Sequence, residues 1–118
     1  MIDSKAIVGT ALTGDSALSA LLGAGDRVFY WMPPSEPVYP CIVFREEDNA
    51  ATEWADNAEY GSNIVVVIDV LSDGNTFAIA DKVNLIMTDQ GFAREYARDL
   101  FRDGVYQKHM RFSTTRRI

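Results

Sequence analysis

The run NIVVVIDVLS at residues 63–72 constrains the fold more than any other stretch of the chain. Ile64 to Ile68 are all β-branched, which crowds a helical turn and suits a pleated strand. The apolar residues are continuous rather than alternating, so the run predicts a strand covered on both faces. Asp69 interrupts it. A carboxylate in such a place is either catalytic or satisfied by backbone donors or a neighbouring arginine. The second reading is favoured, because no other catalytic group stands near it in sequence.

The remaining elements fall around that strand. Residues 4–13 carry a modest helical stripe, Val8, Ala11 and Leu12, with Asp3 or Ser4 as the cap. Gly14 interrupts, and Asp15 or Ser16 recaps a short helix bearing Leu18, Leu21 and Leu22. RVFYW (27–31) and YPCIVFRE (39–46) read as strands joined by a stiff proline-bearing connection. Residues 46–59, EEDNAATEWADNAE, are either a long loop or the far half of a long hairpin. Asn75 is placed to cap a helix whose face is Ile79, Ala80, Val83, Ile86 and Met87. Residues 91–101 show helical spacing, with Phe92, Tyr96 and Leu100 beside Ala93, Ala97 and Phe101. Asp103-Gly104 opens a hairpin, and the terminal strand sets Tyr106, Met110 and Phe112 against Gln107, His109 and Arg111. The sum is one α+β domain over residues 1–118. Its mixed, mainly antiparallel sheet has about four to five strands, with an N-terminal helical segment and one amphipathic helix packed on the sheet.

Charge and composition narrow the function. Residues 1–93 hold four Lys/Arg and fourteen Asp/Glu, while residues 94–118 hold seven and three. The net charge of −6 argues against a general nucleic-acid binder, which needs a basic face. Oppositely charged segments can attract within the fold or between copies, and plain solvated surface is the common alternative. No apolar run reaches the ~20 residues that span a bilayer, and the first residues lack a signal-peptide layout, so cytoplasmic synthesis is expected. Cys41, the single cysteine, excludes an internal disulfide and sits in an apolar run with no base beside it in sequence, as a buried inert thiol would. His109 is the single histidine, expected at the surface, and has no nucleophile partner in sequence. LLGAGDR lacks the lysine of a phosphate loop, and the acids of 46–59 lack calcium-loop spacing. No catalytic, cofactor-binding or metal site is therefore expected. Trp31, Met32 and Trp54 stand beside turn signals, where large apolar residues either fold back over the core or meet a partner.

The order GDRVFY, YPCIVF, IDVLS, AIADKVNLIM, GFAR and DLFRDGVYQKHMRF, spread over nearly the whole chain, resembles the tail-completion, or tail-terminator, family of long-tailed bacteriophages and prophages. The resemblance implies a structural virion protein that forms a ring, usually six-fold, on the tail tube at the head-proximal end. It implies partners in further copies of itself, the tail tube protein and the head connector, with DNA passing through unbound, no membrane contact, and assembly in the host cytoplasm. It also implies that residues 91–101 are a strand, against their periodicity. The subunit or partner interface is assigned to Trp31, Met32, Glu46, Glu47, Asp48, Trp54, Arg111, Arg116 and Arg117. The acidic residues 46–59 either meet a basic neighbour or line the lumen. A non-ring head–tail adaptor of the same fold is the alternative, and an uncharacterised α+β enzyme is a third reading.

Overall fold

A computed structural model describes residues 1–23, 25–55 and 58–117. The elements run α1 (Ser4–Thr13), α2 (Ser16–Leu22), β1 (Val28–Tyr30), β2 (Cys41–Ala55), β3 (Ala58–Ser72), α3 (Phe77–Asp89), β4 (Ala93–Arg102) and β5 (Val105–Arg117). They form the α+β arrangement expected. One five-stranded sheet has the order β1-β2-β3-β5-β4, with β1 parallel to β2 and every other pair antiparallel.

Local chemistry explains most boundaries. Asp3 caps α1 by accepting from the Ala6 N–H at 3.1 Å, and Asp15 caps α2 by accepting from Leu18 at 2.9 Å. Asn75 does not cap α3 as expected. Thr76 is the N-cap residue and makes no side-chain cap bond, while the Asn75 carboxamide takes the Phe77 N–H at 2.9 Å from one residue further out. At the other end of α3, Gly91 has φ 87°, a conformation open to glycine. That turn lets the Phe92 N–H return to the Met87 carbonyl at 2.9 Å and buries the Phe92 ring. Asp103 and Gly104 both have positive φ, as a two-residue hairpin turn requires.

The acidic stretch resolves as hairpin rather than loop. β2 runs on past Glu46 to Ala55, and β3 begins at Ala58, well before the apolar run. The three helices pack on one face of the sheet. There Val8, Leu12, Leu18, Leu22, Val83 and Met87 meet Ile42, Phe44, Ile64, Val66, Ile68, Val70, Met110 and Phe112. Each such fully buried side chain contributes about 1.5–3 kcal/mol. Tyr106 shares their alternation but lies past the end of the helical layer and stays exposed.

No helix covers the other face, yet Val67 there is only 1% exposed. Val67 is flanked in register by Arg45 and Arg111. Glu47 on β2 bonds Arg111 on β5, so their side chains cross above β3, which lies between those strands. Long side chains therefore shield the valine in place of a second layer.

Cys41 lies on this face too and is fully buried. Burial pushes its thiol pKa up, and the nearby charge of Arg27, a contact the sequence did not reveal, offsets that only in part. Native protein is therefore expected to leave a thiol reagent unreacted at neutral pH, with labelling following the unfolding rate. Stoichiometric labelling within seconds under native conditions would contradict this burial.

Candidate functional site

The uncovered face carries a polar network, built by two β-bulges. Glu47 is the extra residue between the Glu46/Val66 and Asp48/Val65 pairs, and Glu95 is the extra residue between the Arg94/Phe112 and Tyr96/Arg111 pairs. A bulge opposes two residues to one, which turns a side chain the strict alternation would place elsewhere. Both bulged glutamates reach Arg111, Glu95 at 3.0 Å from Nε and Glu47 at 2.9 Å from a terminal nitrogen. The Glu95 hydrogen bond, with the charges of Glu47 and Glu95 adding to it, pushes the Arg111 pKa up from its ordinary value. The bulge in β4 also explains the misleading helical spacing of residues 91–101. One inserted residue breaks a period of two.

Beside this triad, Asp69 receives the Gln107 amide at 2.9 Å and lies 2.6 Å from Nδ1 of His109. Nε2 of that ring lies 3.5 Å from the Tyr96 hydroxyl, and the Arg98 guanidinium stacks 4.2 Å above the Tyr96 ring. Asp69 is thus satisfied as the sequence suggested, but by side chains rather than by backbone or arginine. His109 is half-buried and partnered, not a plain surface residue. Among the described residues the Asp–His pair hydrogen-bonds no serine, threonine or cysteine, its other neighbour being the Tyr96 hydroxyl, and no group of three acids, histidines or cysteines could hold a metal ion.

The residues assigned to an interface divide sharply. Trp31 and Met32 are 59% and 72% exposed, directly after β1. Trp31 also has φ 76°, a left-handed conformation that costs a non-glycine residue about 1–2 kcal/mol. Glu46 is taken up by Ser4 Oγ and by the Asn49 amide. Glu47 and Arg111 are bound to each other. Asp48 is exposed and accepts its neighbour's Asn49 N–H at 3.0 Å. Arg116 donates to the Gln90 carbonyl at the end of α3 at 2.6 Å. Arg117 ends β5 opposite Gly61. The side chain of Trp54 lies outside the described residues. Several of the opposite charges therefore meet inside one chain, where the sequence had left open whether they met a neighbouring copy. Residues 91–101 are a strand as the resemblance implied, but a second exposed apolar group, Leu100 and Phe101 at the β4–β5 tip, was not legible in the sequence, because strand alternation does not show which end of a strand lies beyond the core.

A family model described as "Tail completion protein gp17" matches residues 6–115. The chain belongs to the tail completion protein gp17 family. That family is a structural one of phage tails, not an enzyme family, and it makes the chain a tail component of the virion. No curated protein sequence matches the chain. Among solved structures, it resembles a chain described as "Virion of native gene transfer agent (GTA) particle". The identity is 19% over 94% of this chain and 92% of that one, with a TM-score of 0.65, which is a likeness of fold.

Proposed function

We propose that this tail completion protein is a tail terminator. Copies close into a six-fold ring on the head-proximal end of the tail tube, stop its growth and offer the surface that joins the head connector, while DNA passes through without specific binding. The observation that carries the reading is the placement of exposed apolar side chains at opposite edges of one sheet. Trp31, Met32 and Val38 lie beside the β1 edge, and Leu100 and Phe101 lie on β4 at the other edge. Such paired, unlike patches suit a head-to-tail contact, and a rotation that repeats that contact closes a ring. The backbone cost at Trp31 supports it as well, since such a conformation is held where exposure of the side chain is useful.

The intrachain ion pairs bear on the role of charge. With Glu47 and Arg111 already bound to each other, salt has less to loosen between copies than two free charged segments would offer. The ring is expected to appear as an annular six-fold particle at the tube end, and to survive moderate added salt. Particles lacking the protein are expected to carry tails of uncontrolled length without heads attached. Normal headed particles in its absence would refute the terminator reading, and a monomer bridging head and tail without a ring would favour the adaptor alternative.

A further inference from the structure

Two features on the helix-bearing side of the sheet fit one another, and they lie at opposite edges. The first is a projection. Phe101 pairs with Tyr106 in register, their rings 4.6 Å apart, and Phe101 is 62% exposed at the hairpin tip. The second is a groove of about 500 Å³ at the β1 edge, floored by Val28, Tyr30 and Phe44 and walled by Ala6, Gly9 and Thr10 of α1. Gly9 keeps it open at its base, since a Cβ there would already stand 3.4 Å from the Phe44 ring.

We propose that Phe101 of one copy seats in the α1–β1 groove of the next, and that this contact is the repeating joint of the ring. The inference rests on the ring reading above and names its contact. Three observations select a second copy as the occupant. Phe101 alternates with Ala97, which packs against the helix-side core, and Val28 and Tyr30 pack against that core too, so projection and groove lie on the same side of the sheet. β4 runs antiparallel to β1 through the chain of pairings, so a rotation that preserves strand direction brings the two edges together antiparallel. The charges also agree. Asp99, its side chain 77% exposed, shares Phe101's side of β4, and Lys5 stands with Asp3 at the groove rim. An apolar projection matched to a groove elsewhere on the same molecule is the geometry that generates head-to-tail assemblies.

The test uses full-length protein, alone at rising concentration and on tails. Phe101→Cys with Ala6→Cys is expected to give an oxidation-dependent ladder of covalent oligomers ending at the ring number, while either single variant gives none. Buried Cys41 supplies no background. Phe101→Asp is expected to melt like wild type, because the tip lies outside the core, yet to need at least tenfold more protein to assemble. Annular particles without the ladder, or unimpaired assembly of Phe101→Asp, would overturn this contact and leave the ring reading standing. Absence of any oligomer, both alone and on tails, would overturn both.

Discussion

Phe112→Ala is expected to destabilise the protein by about 3–5 kcal/mol, the usual cost of emptying a large aromatic site in a core. Phe112 is completely buried, pairs in register with Val66, and sits in the cluster formed by the three helices and the sheet. The loss combines lost transfer free energy with a cavity that the rigid sheet cannot collapse around. Domains of this size are stable by only ~5–15 kcal/mol, so the variant stands near the limit of folding. Urea titration followed by far-UV circular dichroism measures it. A loss below about 1 kcal/mol at unchanged slope would mean that the helices do not cover β5 as described.

Asp69→Ala is expected to cost about 1–3 kcal/mol, because it removes the acceptor shared by two half-buried donors. Gln107 Nε2 and His109 Nδ1 both converge on one carboxylate oxygen, and the Asp69 side chain is 12% exposed. The informative comparison is the double variant Asp69→Val with His109→Leu. Replacing the pair by apolar groups removes the unsatisfied partner along with the bond, so the double change is expected to cost less than the two single changes added. Strict additivity in a denaturant cycle would show that the two side chains are not coupled. The same variants report on function. Because the family is a structural one, an assembly-competent double variant is expected to complete tails normally.

The β-branched run at 64–68 specifies a strand by local sterics alone, and the α3 stripe from Ile79 to Met87 specifies a helix by its period. Capping by Asp3 and Asp15 is similarly legible, because a carboxylate three residues ahead of a free N–H needs no tertiary information. Residues 91–101 are different. Their helical spacing is real, but a bulge at Glu95 and a paired neighbour, β5, decide the conformation. Cross-strand hydrogen bonds to a segment further along the chain leave no mark in a local window. The same bulges hid the polar network. Glu47 and Glu95 are 64 and 16 residues from Arg111, and nothing in their spacing announces a shared partner.

From its sequence alone, the protein is determined to be α+β, with an acidic stretch, a basic end and a cysteine set in an apolar run, because those properties follow from residue chemistry and short-range periodicity. Tertiary structure alone decided which charges neutralise each other within the chain and which apolar groups remain outside. Those outcomes depend on strand order and register, which bring distant residues to one face and leave Trp31 and Phe101 at opposite edges.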